Sequence, residues 1–382
     1  MRIMSCTKSG AGHLGPLVPF AKAFLRNNDE VVVTAPLEMA EMVAAAGLDH
    51  HPLPDPPQDR RGPLFARARH MDPQAANAMV VRDVFVRIDT RAGYAHVLAA
   101  VARHRPHVML IDSSDFAAAL AAEATGTPAV TVGITLARHR ELLAGPVEEA
   151  LEEVRAELGL APGPGPELPY FTLMPAELED PEMPGPPHAV RFREAAEDPR
   201  PLPDWWANTA WPLVYLTFGS VAPTVGFFPE VYREALDALS LLPVRVLLTV
   251  GRDRDPRELG PLPPNVHAAR WVPQADVMPH ATAMVCHGGS GTVRAGLAAG
   301  IPMAVVPLFA DQFDNARRVA EVGAGIALDG PAGLGDAVRR LIAEPSYRRS
   351  AQRIARSIER LPTVDAATAI VRELAGVAAL GS

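Results

Sequence analysis

The sequence predicts an α/β protein with two Rossmann-like domains, each built on a doubly wound parallel sheet and facing the other across a cleft. Three observations predict this fold class. The chain has 382 residues, which exceeds the size of one ordinary compact domain. In each half, short β-branched runs alternate with longer alanine-rich runs, as in βαβ units. A proline-rich stretch separates the two alternating series.

The first half of the chain contains predicted strands and helices in alternation. The strands are residues 2–7, 30–34, 107–112 and 129–132, and the helices are 16–26, 37–46, 81–103 and 114–125. Right-handed crossovers make such a sheet parallel, and its ligands bind beyond the carboxyl ends of the strands. We therefore expect residues 9–16 and 112–116 to lie at one ligand site.

The second alternating series starts near residue 214. Its predicted strands are 214–218, 244–250, 266–270, 283–287 and 302–307, and its predicted helices are 228–240, 292–299, 333–343, 345–360 and 364–379. Prolines crowd residues 52–73 and 161–212, where we expect no regular elements, and the first stretch is expected to be a mobile excursion. The predicted domains are 1–200, a linker at 201–212, 213–362 and a C-terminal helix at 363–382.

Composition excludes several classes of protein. The chain is 48% hydrophobic with a mean hydropathy of +0.07, and no run approaches the roughly 20 apolar residues that span a bilayer. The net charge is −8 with dispersed basic residues, which disfavours nucleic acid as a partner. Two cysteines are too few for a disulfide framework. We expect no secretory signal, because Gly10, Gly12 and Gly15 interrupt the first twenty residues. We expect a soluble cytoplasmic protein without integral membrane association, as a monomer or homodimer.

The segment SGAGHLGP at residues 9–16 follows the first predicted strand. Its glycines fit the G-x-G-x-x-G pattern of dinucleotide-binding turns: Gly10, Gly12 and Gly15. Such a turn also needs an acidic residue at the end of the second strand, where this chain has Pro36, while Glu30 lies at that strand's other end. The pattern is therefore incomplete, and NAD or FAD is not the expected ligand.

His13 lies within this loop and is a candidate general base. A neutral imidazole accepts a hydroxyl proton near neutral pH, and it does so better when a carboxylate fixes its other nitrogen. Asp112 ends the strand at 107–112 and is the preferred partner, with Asp115 as the competing choice one turn into the next helix. The alternative interpretation makes His13 a helix-terminus residue and Asp112 the N-cap of that helix.

The loop HGGSGT at residues 287–292 joins a predicted strand to a predicted helix, which favours an anion site. Backbone N–H groups and the helix N-terminus converge there, and Gly288, Gly289 and Gly291 allow an anion to approach the backbone. His287 adds a donor, and Ser290 and Thr292 add hydroxyls. The loop is not a Walker loop, because no G-K-[ST] follows.

Residues on either side of this loop complete a pattern for a nucleotide sugar. Trp271 offers a flat π-face for a base, with Gln274 available for polar contact. Asp311 and Gln312 offer acceptors and donors that suit sugar hydroxyls. Taken singly, Trp271 is more typical of a packing residue, and Asp311 is more typical of a helix cap or a surface group. The nucleotide-sugar interpretation therefore depends on the order of these residues along the chain.

The segments WVPQ, HGGSGT and PLFADQFDNA resemble the nucleotide-sugar signature of GT-B glycosyltransferases of family GT1, particularly the bacterial enzymes that glycosylate antibiotics and other secondary metabolites. GAGHLGP near the N-terminus and TFGS after LPDWW extend the resemblance. It implies that His13 is the catalytic base, that Asp112 is its partner, and that the last helix packs on the N-terminal domain. The implied donor-binding residues are Ser220, Trp271, Val272, Gln274, His287, Gly289, Ser290, Gly291, Thr292, Asp311 and Gln312.

The resemblance also implies a reaction. A sugar passes from a TDP- or UDP-sugar to a small hydrophobic natural-product aglycone by a single inverting displacement, with no cofactor and no metal. The plant form of the signature has a Trp-Asn pair and a ribose-binding Glu where this chain has Ser290, Gly291 and Ala295, which favours the bacterial branch. The acidic stretches near residues 180 and 198 are interrupted by proline, so they do not favour a metal site.

Apolar residues within 52–90 and 134–175 are the expected walls of an acceptor pocket. The candidates are Phe65, Met71, Met79, Phe85, Leu142 and Phe171. Two other functions remain open. A non-hydrolysing nucleotide-sugar epimerase would show further acidic residues in the cleft and act without an acceptor. A catalytically silent GT-B-like partner protein would have lost site residues that this chain retains.

Overall fold

The computed structural model describes residues 1–195, 199–203 and 210–376, which form two units. Unit 1 contains Met1–Leu173, Glu182–Ala195 and the described residues from Pro362 onward. Unit 2 contains Met174–Pro181 and the described residues from 199 to Leu361. Part of the predicted linker (204–209) and the end of the predicted C-terminal helix (377–382) lie outside the described residues.

Unit 1 is built on a seven-stranded sheet whose neighbouring strands all pair in parallel. The strands are β1 (Arg2–Cys6), β2 (Glu30–Pro36), β3 (Asp49–Leu53), β4 (Val108–Asp112), β5 (Ala129–Gly133), β6 (Tyr170–Thr172) and β7 (Val190–Arg191). Their order is β3-β2-β1-β4-β5-β6-β7. The central strands β1 and β4 are buried along nearly their whole length, as expected for a parallel sheet covered by helices on both faces.

Helices cover both faces of this sheet. They are α1 (Ala11–Leu14), α2 (Val18–Arg26), α3 (Ala40–Ala45), α4 (Gln58–Ala68), α5 (Pro73–Met79), a π-helix (Val80–Asp89), α6 (Thr90–His104), α7 (Phe116–Thr125), α8 (Ala137–Glu157) and, from the C-terminus, α15 (Ala367–Leu374). One core includes residues of α2, α3 and α15, and the other includes residues of α6, α7 and α8. The sheet is therefore the middle of three layers.

The C-terminal segment of the chain completes the first of these cores. Val364, Ala367 and Val371 are buried within it. Ion pairs fasten the same segment to α2 and the loop after it, with Arg26 Nη2 2.7 Å from Asp365 Oδ1 and Arg372 Nη2 2.8 Å from Asp29 Oδ2. The core of unit 1 thus depends on residues more than 300 positions apart in sequence.

Unit 2 is built on a six-stranded parallel sheet of order β10-β9-β8-β11-β12-β13. The strands are β8 (Leu213–Thr217), β9 (Arg245–Thr249), β10 (Val266–Ala269), β11 (Ala281–Cys286), β12 (Met303–Val305) and β13 (Gly325–Ala327). The helices are α9 (Glu230–Leu239), α10 (Gln274–Val277), α11 (Ser290–Ala298), α12 (Gln312–Glu321), α13 (Leu334–Ala343) and α14 (Pro345–Glu359). Helices α9 and α13 bury one apolar face on the sheet. The predicted fold class, two Rossmann-like parallel-sheet domains, is confirmed.

The segment Met174–Pro181 is held in unit 2 by two arginines of α12. The guanidinium of the buried Arg318 donates to the carbonyl oxygens of three successive residues: Glu177 at 3.0 Å, Leu178 at 2.9 Å and Glu179 at 2.8 Å. The adjacent Arg317 lies 2.8 Å from the Asp180 carboxylate. These bonds hold the segment against α12 and give buried backbone carbonyl groups a donor.

Several sequence predictions for individual elements were wrong. Residues 52–73 are not an irregular excursion, because α4 occupies half of the stretch and tolerates Pro63 in its interior. The predicted helix at 81–103 is the π-helix followed by α6, and the one at 16–26 is α2, which begins at Val18. Strands β3, β6, β7 and β13 were not predicted, and neither were helices α1, α4, α5, α8, α10 and α12.

Candidate functional site

The order of strands reverses at one point in each sheet, and the candidate residues follow the strands at these points. In unit 1, β1 and β4 are neighbours, and His13 and Asp112 lie at their carboxyl ends. In unit 2, β8 and β11 are neighbours, and Ser220 and His287 follow them. Ligands of doubly wound folds bind at such switch points, so each unit brings candidate residues to its own switch point.

His13 and Asp112 form a close pair in unit 1. His13 Nδ1 lies 2.7 Å from Asp112 Oδ2, and the side chain of His13 is 17% exposed while that of Asp112 is fully buried. The short helix α1 places the imidazole there, because Gly10 precedes it with a φ of 121° that favours glycine. A Cβ on Gly10 would also lie 3.3 Å from the His13 ring.

Hydrogen bonds fix the Asp112 carboxylate in its ionised form. Its Oδ1 accepts from the Ser114 backbone N–H at 2.8 Å and from the Ser114 hydroxyl at 3.0 Å. Burial alone would raise the pKa of Asp112, but His13, the Ser114 N–H and Lys8 together hold it below its usual range. A carboxylate at Nδ1 selects the tautomer in which Nδ1 carries the proton, which leaves Nε2 as the basic nitrogen.

Asp115, the competing candidate, caps a helix instead of contacting His13. Its side chain accepts from the Ala118 N–H at 3.1 Å and forms the N-cap of α7, so it lies at the start of the helix rather than one turn inside it. Burial raises its pKa to about 6. Asp112 is therefore the carboxylate that contacts His13. It also accepts a hydrogen bond from the Ser114 N–H, just before α7 begins.

The candidate acceptor residues are dispersed. Phe85, on the π-helix, packs edge to face with His13 at a ring-centroid distance of 5.6 Å. Phe171 is wrong as a pocket wall, because it is fully buried in the core between Phe20 and Phe192. Met79 is buried at the end of α5. Three candidates are half-buried: Phe65, Met71 and Leu142.

His287 lies directly after β11 in a slot that two glycines leave open. A Cβ on Gly219, whose φ is 76°, would lie 2.6 Å from the imidazole, and Gly289 approaches it from the other loop. Burial lowers the pKa of His287 to about 4, so the ring is neutral at physiological pH. The Thr217 backbone opposes this change, while no hydrogen bond of good geometry reaches the buried Nδ1 from the described residues. A neutral imidazole has one N–H group, which can donate a hydrogen bond to an anion.

The N-terminus of α11 opens onto the same loop. Its N-cap, Gly289, has no side-chain cap in the described part of the chain, and the Val293 N–H is paired with the Gly289 carbonyl. Ser290 is half-buried and Gly291 exposed, while Thr292 is buried and accepts from Gln274 Nε2 at 3.5 Å. The first amides of a nine-residue helix are suited to bind an anion.

Asp311 is held by a network whose central member the sequence did not indicate. Its Oδ2 accepts from Ser290 Oγ at 2.7 Å and from Asn315 Nδ2 at 2.9 Å. Asn315 is fully buried and also donates to the Gly288 carbonyl at 2.8 Å, so it joins α12 to the glycine loop. The preceding Ala310 has a φ of 56°, a strained conformation for alanine that occurs at functional sites.

Gln312 and Trp271 each have a contact that limits what they can bind. Gln312 is buried, and its Oε1 accepts from the N–H groups of Leu308 and Phe309 at 2.8 and 3.1 Å, so its amide supports the loop before α12. Trp271 is half exposed, and the Arg252 guanidinium covers its ring at 3.8 Å. Val272 is half-buried and Ser220 exposed.

Two absences apply to the part of the chain that the structure describes. It contains no group of three or more His, Cys, Asp or Glu side chains that could hold a metal ion. Within the same residues, no helix is long and apolar enough to cross a membrane. Cys6 and Cys286 are free and buried.

The relatives and the solved structure that resemble this chain align with nearly all of it, and a family model matches its C-terminal part. Residues 233–374 match the family model described as Erythromycin biosynthesis protein CIII-like, C-terminal domain. The chain is 31% identical to elloramycin glycosyltransferase ElmGT of Streptomyces olivaceus, over 95% of this chain and 94% of ElmGT. It is 30% identical to L-demethylnoviosyl transferase of Streptomyces niveus, over 95% of each chain. The solved structure of the Streptomyces sp. SF2575 glycosyltransferase SsfS6, complexed with thymidine diphosphate, has a TM-score of 0.80 at 25% identity, over 98% of this chain and 99% of SsfS6.

Proposed function

Because this chain belongs to the GT1 family of bacterial natural-product glycosyltransferases, we propose that it moves a sugar from a nucleoside-diphosphate donor to a small hydrophobic aglycone. His13 is the general base and Asp112 its partner. The anomeric centre is inverted, no metal takes part, and the reaction takes place in the cytoplasm. The observation that carries the proposal is the 2.7 Å contact between His13 Nδ1 and the ionised, buried Asp112.

The proposed glycosyl transfer is a single displacement in which one proton moves, one bond forms and one bond breaks. His13 Nε2 removes the proton of an acceptor hydroxyl as that oxygen attacks the anomeric carbon, and the bond from this carbon to the diphosphate oxygen breaks. Asp112 stabilises the imidazolium that forms, as a carboxylate does in other His–Asp pairs. Attack opposite the leaving group gives inversion.

The leaving diphosphate is the part of the donor assigned to unit 2. Its negative charge is met by the first amides of α11 and by the N–H of the neutral His287, which act as fixed dipoles that need no metal. Asp311 and Gln312 are assigned to the sugar, and Trp271 with Gln274 to the nucleoside. A TDP-sugar is the preferred donor, since the solved relative SsfS6 was complexed with thymidine diphosphate.

Replacement of His13 tests the base. His13→Ala should lower kcat by about 10²–10⁴, the range for loss of a general base, while thymidine diphosphate binds as in the wild type. Turnover is measured as glycoside formed by mass spectrometry, with EDTA present, and binding by calorimetry. His96→Ala, at an exposed histidine of α6, is the matched control and should retain full activity.

The two alternative functions would give different results in the same assay. An epimerase would convert the nucleotide sugar without an acceptor, and a silent partner protein would bind thymidine diphosphate with no turnover of any donor. Unchanged turnover in His13→Ala would remove this residue from the base role. Loss of activity in EDTA would overturn the metal-independent reaction.

A further inference from the structure

A cavity of about 70 Å³ lies in unit 1 beside the His13 site. Its polar lining residues include Lys8, Ser9, Asp89 and Asp115, and we call this cavity the Lys8 pocket. Several water molecules, or a small part of a ligand, fit such a volume. Two further lining residues, Pro54 and Asp55, are exposed and place its mouth beside the loop after β3.

Several polar atoms of the Lys8 pocket are buried, and they lie in ion pairs or in no hydrogen bond of good geometry. Lys8 is 7% exposed, and its ammonium lies 3.1 Å from Asp89 Oδ2. Among the described residues, neither Lys8 Nζ, nor the two Asp89 oxygens, nor Ser9 Oγ has an aligned hydrogen bond. Buried polar atoms are nearly always bonded, so unbonded ones that line a cavity point to a ligand or to water.

Lys8 keeps a donor for such a ligand. An ammonium has three N–H groups. One faces Asp89, and a second faces the Phe85 ring, whose centroid lies 2.9 Å from Nζ. The third is left for a ligand. Burial lowers the pKa of Lys8 to about 8, while Asp89 opposes this change, so the group is still mainly charged near neutral pH.

The remaining walls indicate what the ligand is. Leu53, Val97 and Phe116 are apolar, so they suit the body of a hydrophobic molecule. Asp89 faces two cations, Lys8 at 3.1 Å and Arg61 at 3.4 Å, and the second carboxylate, Asp115, also lines the pocket. Because these two cations and two carboxylates balance, we expect a neutral oxygen as the partner of Lys8.

Phe85 connects the Lys8 pocket to the candidate base. It lines the pocket, contacts Lys8, and packs against His13 at 5.6 Å. Phe85 and Asp89 both project from the π-helix, a rare conformation that occurs frequently at functional sites. An acceptor beside His13 could therefore extend along Phe85 into the pocket.

We propose that the Lys8 pocket is an acceptor subsite in which Lys8 donates a hydrogen bond to a carbonyl oxygen of the aglycone. The proposal rests on the proposed glycosyl transfer, and it narrows the acceptor to hydrophobic molecules that carry a ketone or lactone carbonyl apart from the reacting hydroxyl. Lys8 binds and orients the acceptor, and takes no part in proton transfer.

Two phenols that differ only by a carbonyl test the subsite. 6-Hydroxy-1-tetralone and 5,6,7,8-tetrahydro-2-naphthol are titrated without donor, at a pH below the phenols' own pKa, into the wild type and Lys8→Met. The wild type should bind the ketone about tenfold more tightly or better, as expected for a hydrogen bond from a charged donor. In Lys8→Met the two phenols should bind equally.

The controls separate a folding defect from loss of the subsite. Lys22 is the other lysine of the chain and lies half-buried on α2, so Lys22→Met should keep the wild-type preference. If Lys8→Met does not fold, a crystal of the wild type soaked with the ketone should place its carbonyl oxygen within hydrogen-bond distance of Lys8 Nζ.

Each outcome decides the subsite independently of the proposed function. The subsite is wrong if the ketone preference survives in Lys8→Met, if the soaked ketone binds elsewhere, or if the wild type binds neither phenol at millimolar concentration. Glycosyl transfer that depends on His13 would still stand in those cases. A Lys8-dependent preference without transfer from any donor would instead reject the proposed function alone.

Discussion

Substitution of Gly219 by alanine is expected to weaken donor binding through His287. The new Cβ would lie 2.6 Å from the His287 ring, so the imidazole must move out of its slot. The φ of 76° costs an alanine about 1–2 kcal/mol, and crowding in a packed site costs about 1–3 kcal/mol more. Loss of one hydrogen bond to a charged ligand corresponds to about a 10- to 100-fold weaker Kd for thymidine diphosphate.

A second glycine separates the two costs. Gly47 has a φ of 72°, but a Cβ there would meet nothing within 4 Å. Gly47→Ala should therefore lose about 1–2 kcal/mol of stability and keep its affinity for thymidine diphosphate. Calorimetry gives the Kd, and urea unfolding gives the free energy of unfolding. If Gly219→Ala bound thymidine diphosphate as tightly as Gly47→Ala, the reasoning that Gly219 makes room for a ligand-binding imidazole would be refuted.

Two further predictions concern the ionisable groups of the site. Asp112→Asn should lower kcat by about 10²–10⁴ without weakening thymidine diphosphate binding, since it removes the group that holds the His13 tautomer; comparison of kcat with the calorimetric Kd checks this. Burial lowers the pKa of His287 to about 4, so the unfolded chain binds an extra proton once the pH falls below its value of about 6.5. Stability from this group is complete above about pH 6.5 and declines by up to about 3 kcal/mol as the pH falls to about 4. Urea unfolding at both ends of that range should show a smaller decline for His287→Gln, and equal declines would contradict the assignment.

Most of the site residues that the sequence could predict lie at the ends of buried strands. His13 and Asp112 can be paired from the sequence because the carboxyl ends of adjacent parallel strands share one edge, and the structure brings them to 2.7 Å. Their catalytic roles stay predictions. Asp72 could have indicated α5, because it caps the helix and Pro73 follows at the first position.

Other features had no readable signal, or a misleading one. Proline density suggested an irregular stretch where α4 lies, because a proline usually breaks a helix, whereas α4 continues through Pro63 in its interior. The apolar pattern of residues 80–89 does not distinguish a π-helix from an α-helix, so the position of Asp89 was not predictable. Phe171 shows that hydrophobicity alone does not separate a pocket wall from a core residue. Lys8 had a weak signal, as one of two lysines among 36 basic residues.

The chain leaves unit 1 after Leu173, returns at Glu182, leaves again after Ala195 and returns at Pro362. No single cut therefore yields both units intact. A polypeptide that ends at residue 200 would lack Val364, Ala367 and Val371, and would expose the apolar surface that these residues cover. A chimera of two relatives should therefore take the residues from Pro362 onward from the same relative as the N-terminal half. The last helix belongs to unit 1, whereas the residues just before it belong to unit 2.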